Sequence, residues 1–481
     1  METKQGLQIN RRAFVGTAVM LLVIMAVAGI LTLTVPQGQF DRVVVDGQET
    51  IVKDTYRLVE AQRLPVWRWL TAPFEVFAGP DASTAILIIA FVMFIGGTFL
   101  ILESSGVLKY MLSGVVARYG GRKYRLLALL ALVCMVLGST AGLFEETVTL
   151  VPITVALALS LGWDSLTGIG MSILSVGFGF AAGTLNPFTI GITQKIAQIP
   201  LFSGFGFRAL FFLLIYGLLV AFLIRYAKRI EKDPRQSPVY EIDHAMRERY
   251  AGMVSGTGEE PKGVRRAALL FGACLLFVFA YIAAGFAVPA LTDYTMPVMA
   301  LMFTAGGVGA GLLAGRGAGR VLKEFGKGML GLLPGAVLVI LALSAKQIMS
   351  AGGIMDTLLY HAYNAVKEVG PYGAVLLLYA FVLVLELFVA GSTAKAFLVM
   401  PLVVPLATLT DLTRQTAVQA FVLGDGFANM IYPTNAVLLI TLGLVGVPYL
   451  KWLKWTWKLQ LGVVLVSVAS LAVAVAVNYG P

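Results

Sequence analysis

Apolar residues dominate the chain in blocks rather than in alternation. From Ala13 to Val35 no charge interrupts the run, and predominantly apolar stretches recur near 83–102, 208–227, 267–288, 297–314, 329–347 and 459–478. About 20 such residues cross the hydrocarbon core of a bilayer as one helix. Two longer tracts, 166–199 and 415–445, carry internal Gly, Pro and Asn and read as broken helices. Two more, 126–162 and 373–410, are too long for a single span and have small polar residues at their centres. They suit hairpins that enter and leave on the same side. Counting each broken tract as one crossing predicts nine spans plus two re-entrant hairpins, an all-α polytopic membrane protein.

Composition agrees. Hydrophobic residues make up 58% of the 481 and charged residues only 13%, against about 25% charged in soluble domains. The net charge of +10 is unevenly spread. Loops on one predicted side (1–12, 103–125, 228–266, 316–327, 451–458) carry 24 basic residues; those on the other (36–82, 289–296, 351–372, 409–414) carry 7. Basic loops stay in the cytoplasm, which predicts a cytoplasmic N-terminus and an extracytoplasmic C-terminus in a bacterial inner membrane, and no nucleic-acid partner. Asn10-Arg11-Arg12 before the first run has the flavour of an export signal, but the run is long enough to span and no small-residue cleavage site follows. Cys134 and Cys274 lie apart in apolar segments and His244 and His361 stand alone in loops, so no disulfide framework or metal signature is present.

The chain also repeats itself. GSTAG (138–142) recurs as GSTAK (391–395), the loop residue Asp164 as Asp411, and GFGFAAGTLNPFT (177–189) as GDGFANMIYPTNA (424–436), in the same order at near-constant offset. An odd number of crossings separates the copies, so they face opposite ways. The organisation predicted is a first half, 1–227, a cytoplasmic connector, 228–266, and a second half, 267–481. Inverted repeats with discontinuous helices are the architecture of secondary transporters, with the substrate near the midplane. Stretches 103–119 and 351–369 read as helices lying at the membrane surface.

Irregular backbone at membrane depth is tolerated only where protein or a watery cavity satisfies it. Four places qualify: the tips at Gly138–Ser139–Thr140 and Gly391–Ser392–Thr393, and the breaks at Asn186–Pro187, with Thr189 just beyond as a further candidate, and Pro433–Thr434–Asn435. Proline frees carbonyls, and hydroxyls and amides can complete the coordination of a small cation or a carboxylate. Ser139, Asn186, Ser392 and Asn435 are candidate Na⁺ ligands. No resident cofactor is expected; the coupling ion is Na⁺ or H⁺.

Charges inside such tracts are costly and mark function by default. Glu145 and Glu146 follow the first tip and are the only charges from Leu126 to Trp163. Neighbours on a helix point about 100° apart, so one is expected to face the substrate and the other a protein partner. Asp425 precedes the second break, and Glu386 and Lys395 are the charges of the second hairpin. Lys395 could receive a substrate carboxylate or neutralise Glu386 or Asp425. Lys195 and Lys346 read as snorkelling or pairing residues.

These motifs carry a resemblance. The EET after the first tip, GTLNPFTIGITQKIAQIPL, GDGFANMIYPTNAVLLITLGLVGVPYLKWLK and the early VPQGQF resemble the YfcC/ArcD-type basic amino-acid antiporters of the ion-transporter superfamily, beside the anaerobic four-carbon dicarboxylate carriers. The resemblance covers nearly the whole chain. It implies an inner-membrane secondary transporter, a homodimer working by an elevator-like movement, with the nine spans and two opposed hairpins of the related p-aminobenzoyl-glutamate transporters. At the second tip, AGSTAKAFLVMP departs from the SGSG-type sequence of that group.

The function expected is transport of an amino acid of the basic class, by exchange or ion coupling, with acids in both repeats holding its cationic groups. A dicarboxylate or peptide-like anion carrier, using Lys395 and the hairpin dipoles, is the alternative. No H-E-x-x-H, P-loop or G-x-S-x-G motif occurs in a context that would support an enzyme, and inverted hairpins suit alternating access better than a channel.

Overall fold

The computed structural model describes residues 11–480, apart from 46–47, 53–54, 60–62, 80–81, 245–262, 289–290, 292–293, 367–368 and 390. The middle of the predicted connector therefore lies outside the described residues.

The long apolar runs are helices. They form α1 (Arg11–Thr34), α3 (Ala82–Ser104), α10 (Phe205–Lys232), α11 (Val264–Ala287), α12 (Thr295–Leu313), α14 (Leu333–Ala351) and α20 (Tyr449–Ala476), with the shorter, more polar α2 (Trp67–Glu75), α4 (Val107–Tyr119) and α13 (Ala318–Gly331) between them. Seven helical stretches among the described residues are long and apolar enough to cross a membrane, and shorter apolar helices accompany them. Leu22, Val23, Leu210, Leu213, Leu276 and Leu465 stand exposed, as side chains facing lipid should. Two basic stretches predicted as loops, 316–327 and 451–458, are largely helical instead: α13 occupies the first and the start of α20 the second. Lys and Arg are good helix formers, and nothing in either stretch stops a helix at the edge of an apolar run.

The first hairpin tract is built from α5 (Lys123–Val136), a π-helical turn Leu137–Ala141, a 3₁₀ turn Glu145–Leu150 and α6 (Val151–Ser160). Its two ends lie together. The Tyr124 ring sits 6.0 Å from Trp163, and Lys123 Nζ lies 2.5 Å from Glu231 at the end of α10. The second is α16 (Pro371–Glu386) and α17 (Ser392–Leu409), both packed on α15 (Met355–Val366).

The broken tracts follow the hairpins. One consists of α7 (Ser165–Ile169), a π-helical turn Gly170–Leu174, α8 (Ser175–Ala181), an irregular stretch, then Pro187–Gly191 and α9 (Ile192–Ile196). The other is α18 (Arg414–Ala428), an irregular stretch, then α19 (Ala436–Val445). Asp164 caps α7 by accepting from Thr167 N at 2.9 Å. In the second copy Thr413 caps α18, accepting from Thr416 N at 3.1 Å, while Asp411 is exposed with φ +53°. Asp164 and Asp411 therefore match in sequence without sharing a role.

Strands are confined to 38–58: Gly38–Gln39 pairs antiparallel with Arg57–Leu58, and Arg42–Val45 with Gln48–Ile51. Arg42 meets Asp356 of α15 at 2.8 Å, pinning this flap to the helical body.

At the centre, α8 and α18 cross almost backbone to backbone. A Cβ on Gly426 would stand 2.2 Å from Ala181 Cα, and Phe178 meets Phe427 edge-on at 5.3 Å. Only a residue without a side chain fits there. Gly426→Val should sharply reduce folded, monodisperse protein on size-exclusion chromatography, since overpacking costs about 1–3 kcal/mol even where side chains can yield. Gly272→Ala, at a position with nothing within 4 Å of the new methyl, should behave as wild type.

Candidate functional site

Each tip meets the neighbouring break and satisfies part of its backbone. At the first tip, Ser139 O accepts from Thr184 N at 3.0 Å and Leu185 N at 3.1 Å, and its hydroxyl lies 2.9 Å from Thr184 Oγ1. Gly142 closes the turn at φ +68°, where a Cβ would approach Asn186 Oδ1 to 2.5 Å. Asn186 Oδ1 accepts from Phe188 N at 2.9 Å. Asn186 Nδ2 and Thr189 Oγ1 are buried with no hydrogen-bond partner among the described residues. Thr140 turns back to donate to Val136 O at 2.7 Å.

At the second tip, Ser392 and Thr393 open α17. Thr393 Oγ1 reaches Phe188 O at 3.4 Å, joining this tip to the opposite break. Ser392 Oγ donates to Asp425 Oδ2, and Lys395 Nζ lies 2.6 Å from Asp425 Oδ1 and against Glu386 Oε2. Lys395 is fully buried; so, nearly, are Glu386 and Asp425. Asn435 caps α19, its Oδ1 accepting from Leu438 N at 3.0 Å, and its amide donates to Asn429 Oδ1 at 2.5 Å.

A cavity of about 300 Å³ lies between the two tips and the two breaks. Of the predicted residues it gathers Glu145, Glu146, Ser392, Thr393, Thr434 and Asn435. Ser139, Thr140, Asn186, Thr189, Lys395 and Asp425 are not among the residues that line it. Both glutamates line the space, contrary to the expectation that only one would. Both lie in the first turn of the 3₁₀ segment Glu145–Leu150. Glu146 also accepts from Phe144 N at 3.2 Å.

The charge layout is two-sided. Glu145 and Glu146 occupy one part of the wall. The N-terminal turns of α17 (Gly391, Ser392, Thr393) and α19 (Asn435, Ala436, Val437) occupy another, together with Lys346 of α14. A helix N-terminus carries roughly half a positive charge and favours anions.

Several contributors escaped sequence reasoning. Lys346 lines the cavity and also a second one of about 550 Å³ beside the 38–59 flap. Phe144, Phe180 and Phe188 supply apolar walls. Arg208 of α10, buried, donates to Thr184 O at 3.1 Å, Phe202 O at 3.1 Å and Ser203 O at 2.6 Å. It thus satisfies carbonyls that the break sets free. A charge inside an apolar helix was the available signal for Arg208 and Lys346 alike.

A multi-pass helical body with two interlocked hairpins around a buried polar cavity defines a membrane transporter. The chain belongs to the DcuC family, described as C4-dicarboxylate anaerobic carriers, which it matches over residues 15–476. It is 28% identical to YfcC of Escherichia coli (strain K12), a candidate basic amino acid antiporter, over 92% of this chain and 93% of that one. An uncharacterized protein of Haemophilus influenzae is also 28% identical, over 77% of this chain and 72% of the other. Among solved structures it is similar to the YdaH transporter of Alcanivorax borkumensis, at 20% identity and TM-score 0.41, covering 97% and 99% of the chains. It is similar too to MtrF of Neisseria gonorrhoeae, at 17% identity and TM-score 0.44, covering 95% and 94%. The family is one of carriers, and the chain is a transporter, not an enzyme.

The cap at the second break can be tested by itself. Asn435→Ala should lower the thermal midpoint of the purified protein, in line with a cap loss of about 0.5–2 kcal/mol, whereas Asn435→Asp, which keeps the capping oxygen, should lower it less.

Proposed function

We propose that the protein is a secondary transporter of basic amino acids of the arginine–ornithine type, working by exchange or by coupling to Na⁺ or H⁺. The observation that carries this reading is the two-sided cavity. Glu145 and Glu146 suit an ammonium and a guanidinium, while the N-termini of α17 and α19, with Lys346, suit an α-carboxylate. Both kinds of group line one space of about 300 Å³, at the small end of ligand pockets and fitted to a single amino acid better than to a peptide.

An elevator-like movement is the mechanism we favour. The hairpins and broken helices pack on one another, while α3, α11, α12 and α13 pack together and touch the first hairpin at its irregular turns. Movement of the inner set past the outer one would carry the cavity across the bilayer. We further propose a bacterial inner membrane with the N-terminus in the cytoplasm, on the strength of the basic-loop asymmetry, and a homodimer, on the strength of the family resemblance alone.

A dicarboxylate carrier is the second reading. The same two helix N-termini and Lys346 favour it, and the family description fits it. Two glutamates in the same wall oppose a dianion.

Counterflow in proteoliposomes separates the two. With arginine or ornithine inside, labelled arginine should accumulate, and dicarboxylates inside should drive none. Glu145→Gln and Glu146→Gln should each lower the initial rate at least roughly tenfold, the equivalent of about 1.4 kcal/mol, with folded protein retained. Counterflow driven by dicarboxylates alone would replace this reading with the second.

A further inference from the structure

We propose that the ammonium of Lys395 is a tethered cation that fills the ion position of the second hairpin tip, so that no alkali cation binds there. Calling it an ion position rests on the transport reading above; the filling itself is a matter of geometry.

Lys395 lies in the first turn of α17, wholly out of contact with solvent. Its Nζ is 2.6 Å from Asp425 Oδ1 of α18 and touches Glu386 Oε2, on the last residue of α16. Ser392, which lines the cavity, donates to the other oxygen of Asp425. Two carboxylates, a hydroxyl and the C-terminal end of a helix, which favours positive charge, surround one point. Oxygen-rich surroundings of this kind, at the ends of discontinuous helices, are where transporters hold coupling cations. Here a side chain already occupies the point. A lone ammonium at this depth would cost several kcal/mol, and two acids without it would cost more.

Comparison of the repeats sharpens the argument. GSTAG at the first tip becomes GSTAK at the second, so Lys395 corresponds to Gly142. No side chain fits at Gly142, whose Cβ would meet Asn186 Oδ1 at 2.5 Å. There, Thr189 Oγ1 remains buried without a partner. The two copies thus differ at this position: a lysine ammonium between two carboxylates at the second tip, a glycine at the first, where the neighbouring cation is Arg208 on Thr184 O. The other charge that acts on Lys395 is Lys346 of α14. Among the described residues, Glu386 and Asp425 are the acids that meet Lys395 at the second tip.

The test reads Na⁺ binding, not transport. Purified full-length protein is melted in NaCl or choline chloride at constant ionic strength, as wild type, Ser392→Ala, Lys395→Ala and the double variant. On this proposal any Na⁺ response of the wild type arises away from the second tip, so Ser392→Ala should not weaken it. Lys395→Ala should gain a further Na⁺-dependent rise in midpoint of roughly 2–5 °C at saturation, and the double variant should lose most of it. Weakening of the wild-type response by Ser392→Ala would place Na⁺ beside the lysine and overturn the proposal. So would a folded Lys395→Ala whose response equals that of the wild type. If Lys395→Ala does not fold, the Ser392→Ala comparison decides alone. Failure of the transport reading would register separately, as absent counterflow with this Na⁺ pattern intact.

Discussion

A chain that stops being helical inside a bilayer exposes N–H and C=O groups that lipid cannot satisfy. This fold answers that constraint by facing its irregular segments toward one another. The first tip feeds its carbonyl to the first break through Ser139 and Thr184, Arg208 collects the carbonyls beyond it, and Thr393 of the second tip bonds the opposite break at Phe188. The near-contact of α8 and α18 at Gly426 and Ala181 brings the two sets close enough for this exchange. The cavity is what remains between them. Its polar lining is thus the residue of a structural requirement, turned to binding.

That origin explains the division of labour among the polar side chains. Residues that hold irregular backbone, such as Ser139 and Asn186, are buried and do not line the space. Those at helix starts, such as Glu145, Glu146, Ser392 and Thr393, line it. Helix termini supply orphan N–H groups and partial charge at no cost in buried side chains, which lets one small cavity offer an anionic and a cationic face together.

Much of this was legible in the sequence for physical reasons. Apolar runs of spanning length, Gly–Ser–Thr tips, Pro and Asn breaks and isolated acids are local signals, and the repeat gave them a common frame. Glu145 and Glu146 stood out because nothing else in their segment was charged. What the sequence hid was long-range. Lys346 comes from a helix outside the repeat motifs, and only the fold brings it to the cavity wall. Arg208 had the same mark of a charge within a span, yet its role depends on carbonyls freed two elements away. The pairing of Lys395 with both Glu386 and Asp425 was one of two readings open from sequence, and distance decided it. That both glutamates line one cavity was not foreseeable from the spacing of neighbours on a helix.

The central claim is that a basic amino acid lies across this cavity with its cationic end at the glutamates and its carboxylate at the starts of α17 and α19. An experimental structure of the protein saturated with arginine tests it most directly. The account predicts density bridging Glu145 and Glu146 to the backbone N–H groups beside Ser392 and Asn435. Density elsewhere, or a ligand whose carboxylate faces the glutamates, would contradict it.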